Sequence, residues 1–124
     1  MDSILIVDDD YNLCSVLSDE LNEIGYKSNF VTTADDAFDF IAFNKVSLLL
    51  LDLKMPEKDG FYVLRKIKDD GIKINVIVLT AYADVQSAIE SAKLGASDFI
   101  SKPYDLDELL VSIRKALAKE NNEN

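Results

Sequence analysis

Leu48-Leu49-Leu50-Leu51 constrains this chain more than any other stretch. Four consecutive leucines end in Asp52, and Leu53-Lys54-Met55-Pro56-Glu57-Lys58-Asp59-Gly60 turns the chain at once. An apolar run of this length, bounded by turn signals, predicts a strand buried on both faces. Such a strand needs a covering layer on each side, so it belongs at the centre of a parallel sheet. Asp52 then stands at the carboxyl end of a central strand, the edge at which open α/β sheets build ligand sites.

The pattern recurs along the chain. Ile4-Leu5-Ile6-Val7 runs into Asp8-Asp9-Asp10. Lys27 to Val31 is more polar, which suits an edge strand, and leads to Thr32-Thr33. Asn75 to Leu79 ends at Thr80-Ala81, and Asp98-Phe99-Ile100 ends at Ser101-Lys102-Pro103. Helical spacing fills the intervals. Asp10 is placed to cap a helix carrying Leu13, Val16, Leu17, Leu21 and Ile24, with Gly25 as its stop; Cys14 within it reads as packing. Thr32 to Asp36 starts a second helix with Ala37, Phe38, Ile41 and Ala42 as its buried stripe. Phe61, Leu64 and Ile67 mark a third, ending near Gly71. A fourth, from about Asp84, carries Val85, Ala88, Ile89 and Ala92 and stops at Gly95. Asp105 caps the last, whose inner face is Leu106, Leu109, Leu110, Ile113 and Leu117. Three glycines thus stop helices, and Gly60 shapes a loop with Pro56. Strict alternation of five strands with five helices predicts an α/β fold: a doubly wound, five-stranded parallel sheet with right-handed crossovers. One domain is expected over residues 1–119, with 120–124 as a polar, frayed C-terminal tail.

Composition excludes several functions. Of 124 residues, 23 are acidic and 13 basic, a net charge of −10. That balance argues against direct nucleic-acid binding, which needs clustered Lys and Arg. The absence of histidine removes Ser/His triads, imidazole zinc sites and a phosphohistidine of the chain's own. A single cysteine excludes an internal disulfide and fits a reducing compartment. No run approaches the roughly 20 apolar residues of a membrane span, and the N-terminus lacks a signal-peptide pattern. The cytoplasm is the expected location. Neither GxGxxG after the first strand nor GxxxxGK[ST] occurs, so dinucleotide and P-loop fingerprints are absent.

Parallel strands deliver the residues at their carboxyl ends to one edge. Asp8 and Asp9, Asp52, Thr80 and Lys102 therefore converge there. Taken singly, each has a plain role as helix cap, turn former, structural hydroxyl or solvated lysine. Taken together they form a chemical set. Carboxylates held close repel one another unless a cation is present. A hard divalent ion such as Mg2+ takes one or two carboxylates together with water and phosphate oxygens. An ammonium and a hydroxyl beside it complete a phosphoryl-binding site with a carboxylate nucleophile.

These residues resemble the receiver domain of bacterial two-component response regulators. The resemblance covers essentially the whole chain and rests on Asp8-Asp9, Asp52 with Met55-Pro56 and Asp59-Gly60, Thr80-Ala81 and Lys102-Pro103. It implies a flavodoxin-like sheet of strand order 2-1-3-4-5. It implies that Asp52 is the phosphoacceptor, attacking a phosphohistidine on a sensor histidine kinase or phosphotransfer protein. Asp9, Asp52 and the backbone carbonyl of Lys54 would ligate Mg2+ (or Mn2+), with Asp8 acting through a metal-bound water. Lys102 would contact the phosphoryl oxygens, and the Lys102-Pro103 peptide would be cis. Thr80 and Phe99 would form the switch, although a Phe at this position offers no hydroxyl where the family often has Tyr. Lys54 and Tyr82 occupy variable positions that affect dephosphorylation rate in the family. The runs Thr80 to Val85, Leu94-Gly95-Ala96 and Tyr104 to Leu110 look most like receivers of the σ54-activator (NtrC-like) class.

The implied function is a phosphorylation-driven switch rather than an enzyme, with weak autophosphatase activity. Its output would pass through the surface built from the fourth helix, the last strand and the last helix, roughly Asp84 to Leu117. That surface would control an output domain or partner protein, or form a homodimer; neither nucleic acid nor membrane is an expected partner. A phosphorelay intermediate is the alternative. A haloacid-dehalogenase-type phosphatase would need DxDx[TV] after the first strand, which Asp8-Asp9-Asp10-Tyr11-Asn12 does not supply. A flavodoxin would need a hydroxyl- and glycine-rich loop there. A degenerate scaffold would lack part of the acidic pair, acceptor and lysine, all of which are present.

Overall fold

A computed structural model describes the backbone of residues 2–122 and the side chains of residues 2–118. Five strands alternate with five helices: β1 (Ser3–Val7), α1 (Tyr11–Ile24), β2 (Lys27–Val31), α2 (Ala34–Phe43), β3 (Leu48–Leu51), α3 (Gly60–Asp69), β4 (Asn75–Thr80), α4 (Val85–Lys93), β5 (Asp98–Ser101) and α5 (Leu106–Asn122). All strand pairs are parallel, in the order β2-β1-β3-β4-β5. The expected order and fold are both present. The polar strand β2 lies at an edge, where half its backbone faces no neighbour.

Alternation along the strands divides the core. Ile4, Ile6, Leu48, Leu50, Ile77 and Leu79 meet α1 and α5 on one face. Leu5, Val7, Leu49, Leu51, Val76 and Val78 meet α2 and α3 on the other. The four leucines of β3 thus serve both layers, which is why no polar residue interrupts them. Each helix starts on a side chain that accepts an otherwise unpaired amide. Asp10 caps α1 through the Leu13 amide at 3.1 Å, Thr33 caps α2, Asp59 caps α3, Asp84 caps α4 and Asp105 caps α5. Gly25, Gly71 and Gly95 take positive φ at helix ends.

The structure corrects several details. Val16 and Ile24 are exposed, because α1 turns Cys14, Leu17, Ser18 and Leu21 inward. Ala42 is exposed as well, and Phe38 and Ile41 are only half-buried; α2 buries its first turns at Ala34 and Ala37. In α4 the one buried residue is Ser91, and Val85 is 76% exposed. The apolar spacing of α4 therefore marks an outward surface. Gly60 is not a loop residue but the first residue of α3. A Cβ there would lie 2.4 Å from the Asp52 carbonyl oxygen and 2.7 Å from Leu53 Cα, so close backbone approach dictates glycine. Helix α5 continues to Asn122, through part of the expected tail; residues 123–124 lie outside those described.

Candidate functional site

Strand geometry sets the acidic residues. The Asp8 amide donates to the Val31 carbonyl at 3.3 Å and the Asp52 amide to the Val7 carbonyl at 3.0 Å. Each aspartate thus continues its ladder one residue beyond β1 or β3, at the carboxyl edge. Asp8 is 2% exposed and Asp52 7%, whereas Asp9 faces solvent. Carboxylate oxygens of Asp8, Asp9 and Asp52 all lie within 4.8 Å of one another. Asp10, the remaining acid of the run, is committed to capping α1.

Lys102 reaches the same point from the end of β5. Its ammonium donates to Asp8 Oδ2 at 2.5 Å and to Asp52 Oδ2 at 3.4 Å. The Lys102 amide is held by the Thr80 carbonyl at 2.9 Å, and the Lys102-Pro103 peptide is cis. Burial pushes the Asp8 carboxyl above its ordinary value, against the opposing pull of Lys102 and the Asp10 amide. Burial also works against the Lys102 charge, but hydrogen bonds and attraction from Asp8 and Asp52 outweigh it and raise its pKa. The ammonium holds together carboxylates that would otherwise repel.

Thr80 ends β4 fully buried, with its hydroxyl accepting from the Tyr82 amide at 3.2 Å. It shares a sheet face with Val78, and Phe99 pairs in register with Val78 on the neighbouring strand. The two expected switch residues therefore face the same layer. The Lys54 amide donates to Asp52 Oδ1 at 3.3 Å, which puts this backbone beside the acid. The Lys54 ammonium lies 4.8 Å from the centre of the exposed Tyr82 ring, across the mouth of the site.

The donors fit a hard divalent cation. All are oxygens, they converge from two strand ends, and their mutual repulsion is only partly offset by one lysine. The site can therefore gather a metal ion and an anionic group around the Asp52 carboxylate at the sheet edge. Two contributors have roles that the sequence reading did not assign. Gly60 allows α3 to press against the Asp52 backbone, and the Tyr104 hydroxyl donates to Glu20 Oε1 at 2.6 Å. The glycine was legible as a turn residue but not as a contact with the Asp52 backbone, and the Tyr104–Glu20 pair spans 84 positions, so no local pattern marks it.

Comparison with known proteins gives consistent results. The family model described as "Response regulator receiver domain" matches residues 4–114. Sporulation initiation phosphotransferase F of Bacillus subtilis is 35% identical over 121 residues, spanning 98% of both chains. Transcriptional regulatory protein ZraR of Escherichia coli is 37% identical over 115 residues, 93% of this chain but only 26% of ZraR. A CheY-like response regulator receiver domain protein from Methanospirillum hungatei superposes with a TM-score of 0.94 at 29% identity, over 100% of this chain and 99% of that one. The receiver model covers most of the chain and the Bacillus relative matches it from end to end, so the chain belongs to the response regulator receiver family.

Proposed function

We propose that Asp52 accepts a phosphoryl group from the phosphohistidine of a sensor histidine kinase or phosphotransfer protein. The observation that carries this reading is the convergence of Asp8, Asp9 and Asp52 within 4.8 Å, with Lys102 bonded to Asp8 and Asp52. In the transfer, an Asp52 carboxylate oxygen forms a bond to phosphorus while the P–N bond to the donor imidazole breaks. The electron pair of that bond leaves with the imidazole nitrogen. Asp9, Asp52 and the Lys54 carbonyl would hold Mg2+ or Mn2+, and Asp8 would hold it through water. The ion would supply charge neutralisation for the transferring group. Lys102 moves from carboxylates to phosphoryl oxygens, and the Thr80 hydroxyl donates to the same group.

Phosphorylation then shifts a two-state equilibrium. Phe99 packs in the same layer as Leu94 and Ala96, which follow α4, and Thr80 faces that layer too, so a rearrangement at Thr80 would pass to the α4-β5-α5 surface. That surface presents Val85, Ile89 and Val111 to solvent, a suitable contact for an output domain, a partner protein or a second copy. The bound phosphoryl group is lost again by slow autophosphatase hydrolysis, and the domain acts as a switch in the cytoplasm. Among the described residues no helix is long and apolar enough to cross a membrane.

A phosphorelay intermediate is the second reading. It is favoured by the Bacillus relative, named a phosphotransferase, which matches along 98% of its length. Back-transfer from the phosphorylated chain to a histidine phosphotransfer domain distinguishes this use. The primary test is intact-mass measurement after incubation with acetyl phosphate, with Mg2+ or with a chelator, beside Asp52→Asn. One phosphoryl adduct that requires both Mg2+ and Asp52 is expected. An equally stable adduct on Asp52→Asn would refute the assignment.

A further inference from the structure

The loop from Lys102 to Asp105 joins β5 to α5 and carries the ammonium of the site. Its start is held by the Lys102 amide on the Thr80 carbonyl at 2.9 Å. Its end is held by the Asp105 carboxylate, which accepts from the Glu108 amide at 3.1 Å. Between these, the Tyr104 side chain reaches α1. Its ring packs against the α1/α5 core, and its hydroxyl donates to Glu20 Oε1 at 2.6 Å. A phenol donating to a carboxylate makes a charge-assisted bond, stronger than a neutral one. Burial, followed by the Glu20 hydrogen bond, raises the Tyr104 pKa above its ordinary value.

Helix α1 begins immediately after Asp8-Asp9-Asp10, and its start is fixed by the Asp10 cap. One hydrogen bond therefore links the helix that succeeds the acidic cluster to the loop that carries its counter-charge. We propose that Tyr104 and Glu20 are a positioning pair, holding the loop against α1 so that the Lys102 ammonium stays aimed between Asp8 and Asp52. The pair touches neither a phosphoryl donor nor a metal and acts only through Lys102. Lys102 has a long, flexible stem, so its alignment depends on how firmly the loop is held. The need is greatest when the ammonium must leave Asp8 to meet a phosphoryl group, a step that rests on the phosphoacceptor reading.

The test compares the full chain with Tyr104→Phe, Glu20→Ala, Glu20→Gln and the double variant Tyr104→Phe/Glu20→Ala. Tyr104→Phe keeps the ring packing and removes only the donor. Two quantities are read: the rate of Asp52 labelling by acetyl phosphate with Mg2+, and the 15N resonance of the Lys102 ammonium without donor or metal. Tyr104→Phe and Glu20→Ala are each expected to slow labelling about three- to tenfold, the range one hydrogen bond supports. The double variant should be no slower than the slower single variant. Glu20→Gln, whose amide oxygen still accepts, should label close to the wild-type rate. The Lys102 resonance should move in Tyr104→Phe and return toward wild type in Glu20→Gln. Wild-type labelling by Tyr104→Phe, or multiplied effects in the double variant, would overturn the pairing. Failure of the wild-type chain to label would refute the phosphoacceptor reading alone. The resonance would then decide this proposal: movement in Tyr104→Phe supports it, and an unmoved resonance overturns it.

Discussion

Lys102 stands between two buried carboxylates, and its charge is what allows both to sit there. At 2.5 Å from Asp8 and 3.4 Å from Asp52, it offsets a repulsion that burial would otherwise intensify. The balance is incomplete at Asp8, whose carboxyl is raised above the ordinary 3.8 mainly by burial. The folded state therefore holds this proton more tightly than the unfolded chain. Stability falls as pH rises from 3.8 through the folded value. Asp8→Asn is thus expected to be more stable than wild type at neutral pH without divalent cations. The difference should close as the pH drops below 3.8. Urea unfolding across the pH range checks this; a pH-independent difference would contradict the electrostatic account. At Cys14, burial pushes the thiol to about 12, and its Sγ donates to the Asp8 carbonyl at 3.3 Å. This agrees with reading Cys14 as packing. The acids, Thr80 and Lys102 were legible because each sits at or just past a strand's end, and parallel strands end together. The Tyr104–Glu20 bond spans 84 positions, and no local pattern announces such a pair.

At the scale of elements, each strand–loop junction combines support with chemistry. The sharpest case is the junction of β3 and α3, where the Gly60 amide donates to the Leu53 carbonyl at 3.0 Å. There is no space for a Cβ against Asp52. Gly60→Ala is expected to cost about 1–3 kcal/mol of stability through overpacking and to slow Asp52 labelling by shifting its backbone. Gly71→Ala is the control. Its φ of 65° penalises a side chain, but the space around it is open. It should cost about 1–2 kcal/mol and leave the labelling rate unchanged. Denaturant unfolding and adduct formation measure the two effects, and equal labelling by both variants would remove Gly60 from the site. Helix periodicity identified all five helices but not always their buried faces. In α1 and α2 the apolar set is wider than the face that meets the sheet, leaving Val16 and Ala42 outside. In α4 the apolar residues Val85 and Ile89 point outward. Spacing shows that one side of a helix is apolar; only tertiary placement decides whether that side is covered.

For the whole molecule, the fold was legible because β3 is apolar on both faces and strands alternate with helices throughout. The net charge of −10 is less informative than its distribution. Asp10, Asp59, Asp84 and Asp105 cap helices, whereas Asp8, Asp9 and Asp52 form the cluster at the sheet edge. The proposed metal site exists only where folding brings these three acids together. Mg2+ at about one hundred times its Kd should stabilise the fold by ~2.7 kcal/mol and raise the melting temperature. Asp9→Asn should lose most of that increase, and an equal increase in both proteins would exclude this cluster as the metal site. Asp52 is the proposed carrier of the phosphoryl group. Borohydride reduction of the phosphorylated chain identifies that carrier, because an acyl phosphate is reduced to an alcohol and leaves homoserine at the labelled aspartate. Peptide mass mapping should find homoserine at position 52 and nowhere else. Homoserine at position 8 or 9, or a phosphate on a hydroxyl residue that survives reduction, would rule out Asp52 as the acceptor.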